Sequence, residues 1–267
     1  MAAPISLCSR YIFGLRVDDV TYKESVDLCR RFIESGGHHR IVTPNPEFVI
    51  MARRDPAFLA VINSSSLSIP DGIGLVYASR IFKLPLREHV QGTDLCELLA
   101  AMAAREGYRL FLLGAAAGVA EAAAKKLAGR YPGLVVAGAY SGSPDPTDDD
   151  ETVGAVRAAG KVDILLVAYG ARNQELWLDR NLERSGVAVG IGVGGVFDYF
   201  SERVKRAPAL VRKARLEWLY RLYKQPWRWR RQLSLYRFAL TVLWSAAIGR
   251  KVVLTAPSII PTDRTGT

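Results

Sequence analysis

The chemistry of this 267-residue chain starts from one carboxylate, Asp71, in the run Leu67-Ser68-Ile69-Pro70-Asp71-Gly72. A short apolar stretch closing on Pro-Asp-Gly reads as a strand that stops at a turn. That puts an acid at the rim of a sheet, where open α/β proteins bind ligands. Thr43-Pro44-Asn45-Pro46-Glu47-Phe48 closes another apolar run in the same way. Glu47 is placed to open the following helix, which leaves Asp71 as the candidate base. Pro-Asp-Gly taken alone is a common turn, with Asp favoured for local hydrogen bonding. Its companions argue for more. Thr43, Asn45 and Gln174 are uncharged hydrogen-bonding groups at expected strand ends or the loops just after them, and polar side chains converging with one acid look like a sugar site.

Gly190-Ile191-Gly192-Val193-Gly194-Gly195 follows an apolar run and matches the spacing G-x-G-x-x-G. A glycine-rich turn there could admit a phosphate to a helix N-terminus. The surroundings do not suit a dinucleotide: the run comes late, no clear βαβ unit follows, and the acid at about the right distance, Glu217, falls in a basic helical block. Phosphate binding, as for a nucleotide-sugar, and close helix–strand packing account for this turn equally well. Gly114-Ala115-Ala116-Ala117-Gly118 reads as a plain tight turn. Asp148-Asp149-Asp150 contains D-x-D, a spacing that can hold a metal–nucleotide complex, but capping at the start of a helix explains it better. His38, His39 and His89 show no metal-ligand spacing, and Ser64-Ser65-Ser66 lacks the G-x-S-x-G context of a hydrolase. Cys8, Cys29 and Cys96 are scattered, which argues for a reducing compartment and against a disulfide framework.

These groups need a scaffold, and the pattern from Tyr108 onward supplies one. Apolar runs at Arg109 to Gly114, Leu134 to Ala137, Val162 to Ala168 and Val187 to Ile191 alternate with helical stretches at Val119 to Arg130, Asp148 to Ala159 and Gln174 to Arg184. Strands alternating with helices predict a Rossmann-like, doubly wound, mainly parallel α/β sheet. Strands that are apolar on both faces fit burial on both sides. The first hundred residues are less clean, with helices expected at Tyr22 to Ser35, Pro46 to Arg53 and Thr93 to Arg105. No linker or repeat interrupts them, so residues 1–200 are expected to form one catalytic domain. The N-terminus has no apolar core of signal-peptide length, so export is not expected.

The net charge of +10 is concentrated. Between Arg203 and Arg231 there are eleven Lys or Arg and one acid, Glu217, while the rest of the chain balances at 25 of each sign. Such a block seeks polyanions. Residues 201–256 mix aromatic, apolar and basic side chains, the pattern of helices lying in a membrane interface. The uncharged run from Phe238 to Ile248 is far shorter than the roughly 20 residues a spanning helix needs. A helix packed on the domain is the competing reading. Residues 257–267 are expected to be disordered.

Taken together, Thr43-Pro-Asn-Pro-Glu-Phe48, Pro70-Asp-Gly-Ile-Gly74, Gly92-Thr-Asp-Leu95, Phe111-Leu-Leu-Gly114, Gln174-Glu-Leu-Trp177 and Gly192-Val-Gly-Gly-Val-Phe-Asp198, with Val204-Lys-Arg-Ala-Pro208, resemble the WecG/TagA/CpsF glycosyltransferases. The resemblance implies an inverting, metal-independent hexosyltransferase without a cofactor. Such enzymes move a sugar, often N-acetylmannosamine, from a UDP-sugar to a polyprenyl-diphosphate-linked saccharide in cell-surface polysaccharide synthesis. A related hexose or uronic acid is equally compatible as donor sugar. The resemblance puts the catalytic aspartate on Asp71 and the donor-site threonine, asparagine and glutamine on Thr43, Asn45 and Gln174, beside Gly192 and Gly194. The tail arginines that complete the site fall on Arg221, Arg228 and Arg231. His89 stands where the family usually has an arginine near the donor. A neutral imidazole binds a diphosphate or carboxylate more weakly, and Arg87 is the candidate to compensate. The implied location is the cytoplasmic face of the plasma membrane, held there through the tail, with a homo-oligomer compatible. The rival classes are a nucleic-acid-binding module, favoured by the basic tail, and an NAD-dependent enzyme, favoured by the glycine spacing.

Overall fold

The computed structural model describes residues 5–208, 210–211, 217–224 and 229–260. Within them the chain opens on an antiparallel hairpin, β1 (Ile5–Ile12) and β2 (Leu15–Asp18), followed by α1 (Tyr22–Ser35). Thr21 and Glu24 close a capping box at the start of α1, each side chain meeting the other's backbone N–H. Next come β3 (His39–Val42), α2 (Pro46–Ala52), α3 (Pro56–Asn63), β4 (Leu67–Ser68), α4 (Ile73–Ile81) and α5 (Gly92–Glu106). The regular half follows as β5 (Arg109–Gly114), α6 (Val119–Arg130), β6 (Val135–Tyr140), α7 (Asp149–Ala158), β7 (Ile164–Ala168), α8 (Ala171–Ser185), β8 (Val189–Gly192) and α9 (Val196–Phe200).

Strands β3 to β8 form a six-stranded sheet in the order β4-β3-β8-β7-β5-β6, with every pairing parallel. Every residue of β7 is buried, as a central strand covered on both faces requires. Helices on both faces make the sheet doubly wound, in agreement with the alternating pattern. The carboxyl ends of β4, β3 and β8 lie side by side, which brings the loops after them to one edge.

The hairpin is locked to that edge by buried polar groups. Asp18 accepts from Ser9 Oγ at 2.5 Å and from the Ser68 backbone N–H at 2.8 Å. Arg16 donates to the Ser65 carbonyl at 2.7 Å, and its own carbonyl accepts from Ser68 Oγ at 2.6 Å. Burial pushes the Asp18 carboxyl upward, against the pull of Arg16. This network grips β4 three residues before Asp71.

The C-terminal segment departs from its expected form. It contains α10 (Glu217–Lys224), α11 (Trp229–Ala247) and β9 (Val253–Ile260). Strand β9 pairs antiparallel with β1, making a second sheet in the order β2-β1-β9. The strand therefore runs past Pro257 to Ile260, where a disordered tail was expected; residues 261–267 lie outside the described residues. Helix α11 packs on α2 and α4 and buries Phe238 and Val242 in one apolar cluster with Phe48, Val49 and Val76. Positions 235, 238, 242 and 245 share one helical face, and that stripe meets the body. Residue 200 is thus not a boundary in packing. No helix among the described residues is long and apolar enough to cross a membrane.

Candidate active site

The loop after β3 and the loop after β4 are pressed together. Ile69 N–H donates to the Val42 carbonyl at 2.8 Å and Gly72 N–H to the Pro44 carbonyl at 3.3 Å. Position 72 has to be glycine, since a Cβ there would lie 2.4 Å from Pro46 Cδ. Asn45 caps α2, its Oδ1 accepting from Glu47 N–H at 2.9 Å and Phe48 N–H at 3.4 Å. Asn45 therefore shapes the loop as a cap, and Glu47 does open the helix, as its position predicts.

Asp71 projects from this junction towards α5. Its Oδ1 accepts from Gly92 N–H at 2.5 Å, so the carboxylate meets the positive end of that helix. His89 holds the same residue from the backbone side, its Nε2 lying 2.5 Å from the Asp71 carbonyl oxygen. A carbonyl only accepts, so Nε2 carries the proton. His89 thus braces Asp71. Arg87, the candidate to compensate, is engaged by Glu24 of α1 at 2.8 Å and by Asp19 after β2 at 3.4 Å. Burial also pushes the Tyr22 phenol upward, and its oxygen accepts from Gln91 N–H at 2.7 Å just before α5.

The glycine turn completes the edge. Thr43 Oγ1 donates to the Gly192 carbonyl at 3.1 Å, joining the ends of β3 and β8. Gln174, in the first turns of α8, accepts from Gly194 N–H at 2.9 Å through Oε1 and donates through Nε2 to Glu175 Oε1 at 3.0 Å. Burial pushes the Glu175 carboxyl up to about 7, against its hydrogen bond from Gln174 and the nearby charge of Arg40. Thr43, Asp71, Gln174, Gly192 and Gly194 are therefore brought to one edge, with His89 behind Asp71. Of the tail arginines, Arg221 falls in α10 and Arg231 in α11, while Arg228 lies outside the described residues.

Beside the edge, starting at Thr93, a cavity of about 390 Å³ is lined by Glu97, Arg130, Tyr199, Lys205 and Arg206 among others. Arg206 pairs with Asp94 at 2.6 Å. These cations, the Gly92 N–H and Glu175 were not singled out by residue type. Lys205, Arg206, Gly92 and Glu175 lie within quoted motifs and Arg130 ends the helical stretch from Val119, but only the fold shows which neighbours they meet. The acids of the D-x-D string go elsewhere: Asp149 pairs with Arg180 at 2.9 Å and Asp150 with Arg184. Among the described residues no group of three or more His, Cys, Asp or Glu side chains is arranged to hold a metal ion.

A Rossmann-like sheet whose carboxyl edge gathers a carboxylate, uncharged hydrogen-bonding side chains and a glycine turn is laid out as a ligand site for a polar molecule such as a sugar. The comparison with known families makes this specific. Residues 10–252 match the glycosyl transferase WecG/TagA/CpsF family, and the chain belongs to it. It is 39% identical over 204 residues to the N-acetylglucosaminyldiphosphoundecaprenol N-acetyl-beta-D-mannosaminyltransferase of Bacillus subtilis (strain 168), covering 76% of this chain and 78% of that one. The protein of the same name from Staphylococcus aureus (strain NCTC 8325 / PS 47) is 35% identical over 212 residues, covering 79% and 82%.

Proposed function

We propose that this chain moves N-acetylmannosamine, or a closely related hexose or uronic acid, from a UDP-sugar to a polyprenyl-diphosphate-linked saccharide, with inversion and without a metal. The acceptor follows from the name its relatives carry, an N-acetylglucosaminyldiphosphoundecaprenol. The observation that carries the mechanism is the clamp on Asp71, held from the front by Gly92 N–H and from behind by His89. Asp71 takes the proton of the acceptor hydroxyl as general base. The freed oxygen attacks the anomeric carbon from the face opposite UDP, and the bond to the diphosphate breaks on the other side. Charge building on the leaving diphosphate is met by the helix N-terminus that follows the glycine turn and by Arg221, Arg228 and Arg231.

The same reading attaches the protein to the cytoplasmic face of the plasma membrane. The outer face of α11 leaves Leu240, Leu243 and Trp244 exposed, Trp244 at 67%. Next to it a groove of about 520 Å³ is lined by Arg53, Arg250 and Lys251, with no acid among its described lining residues. Apolar side chains beside unopposed cations suit an anionic lipid surface.

The test is a screen of UDP-sugars against a short-chain prenyl-diphosphate N-acetylglucosamine, with products read by mass. One UDP-sugar is expected to give a product heavier by one glycosyl unit, and Asp71→Asn is expected to lower its rate by about 10²–10⁴-fold. Near-full activity of that variant with both substrates in excess would remove Asp71 as the base.

A further inference from the structure

Glu175 follows Gln174 on α8 and is 0% exposed. Its Oε1 accepts from Gln174 Nε2 at 3.0 Å, and its Oε2 has no hydrogen-bond partner among the described residues. The Gln174 amide is thereby used at both ends, with Nε2 on Glu175 and Oε1 on Gly194 N–H. Without an acceptor at position 175 the buried Nε2 loses this partner, and the amide has less reason to keep its oxygen on Gly194. Glu175 also fills the space under the turn. A Cβ at Gly192 would come within 2.2 Å of Glu175 Oε1, and the Gly192 carbonyl is the group that Thr43 holds. Acid, amide, turn and Thr43 form one continuous contact beneath the site.

We propose that Glu175 is a positioning residue: it acts through Gln174 to hold the Gly192–Gly195 turn in the shape that receives the diphosphate of the sugar donor. The ligand rests on the UDP-sugar reading above. No reacting atom is assigned to Glu175.

Two variants separate this role from simple core filling. Glu175→Leu removes the acceptor at similar volume, and Glu175→Gln keeps an acceptor oxygen. Three quantities are measured: hydrogen exchange of the Gly194 amide without ligand, the Kd for the UDP-sugar that the donor screen selects, and the acceptor KM. In E175L, Gly194 exchange is expected to speed up and donor Kd to rise about tenfold, the scale of one lost buried hydrogen bond, with acceptor KM unchanged. E175Q is expected to stay within about twofold of wild type on the same scale. On a Gln174→Ala background, E175L is expected to add nothing, because the two act as one unit. Should E175L not fold, Glu175→Met carries the same expectations. Wild-type exchange and Kd in a folded E175L, or an equal effect of E175L on the Gln174→Ala background, would overturn the proposal. A wild type that binds no UDP-sugar while E175L still loosens Gly194 would overturn the donor reading and leave the brace intact.

Discussion

Glu175 makes the site sensitive to pH through stability as well as shape. Its carboxyl ordinarily titrates near 4.5 and is raised to about 7 by burial. The folded protein therefore keeps a proton that the unfolded chain gives up between those values. The stability that Glu175 contributes is fully present below about 4.5 and is lost as the pH rises, the loss being complete once the pH passes about 7. The size is roughly 3 kcal/mol, at about 1.4 kcal/mol for each unit of pKa difference. Glu175→Gln has a similar shape and no proton to lose. Urea unfolding at pH 5 and pH 8 is expected to show wild type losing stability relative to this variant; parallel curves would mean that Glu175 is not held neutral. His89 makes a separate prediction. Its hydrogen bond goes to the Asp71 backbone, so His89→Ala is expected to lower kcat about tenfold, the scale of one part-buried hydrogen bond, with donor KM nearly unchanged. A rise in donor KM alone would return His89 to the role of a donor ligand.

At the scale of elements, the link between tail and site is α11. It packs on α2 and α4, the helices that begin at Asn45 and just after Asp71. Phe238, 2% exposed, is the centre of that contact. Phe238→Ala is expected to cost about 3–5 kcal/mol, the range for emptying a buried aromatic site, and to lower the melting temperature of the whole protein in one transition. Two separate transitions in calorimetry would show instead that the tail melts as its own unit. The same elements show what the sequence could and could not reveal. The βα alternation after Tyr108 is local, so periodicity alone predicts it, and Asp71, Thr43 and Gln174 are legible because strand ends mark a sheet's rim. The small sheet is hidden, because β1 and β9 meet only through the fold. Its hairpin is hidden too: the two turn residues are Phe13 and Gly14, both at positive φ (51° and 86°), and Phe is not an expected residue there. Phe13 is held by packing, edge-on to Phe238 at 6.3 Å and under the Arg53 guanidinium at 5.1 Å. Glu175 and Gly92 were within quoted motifs, but their roles are contacts between segments far apart in sequence.

For the whole molecule, the question is how a neutral body with a cationic tail meets a substrate carried on lipid. Truncating the tail is a poor test, because α11 is part of the apolar cluster and β9 pairs with β1. Changes confined to the outer surface avoid this. Arg250 and Lys251 line the groove at the end of α11, and each basic residue near an anionic surface contributes about 1 kcal/mol. Replacing both by Gln is therefore expected to weaken binding to vesicles containing phosphatidylglycerol by about thirtyfold at low salt. The difference is expected to shrink at roughly 0.5 M salt, where the screening length falls to a few ångströms. Leu243→Ser with Trp244→Ser removes insertion instead of attraction, so its loss should persist at high salt. Sedimentation with anionic and zwitterionic vesicles at two salt concentrations separates the two contributions. If neither double variant changes vesicle binding while the fold is intact, the α11 face and groove are not the membrane surface, and the charge of the tail serves the diphosphate alone.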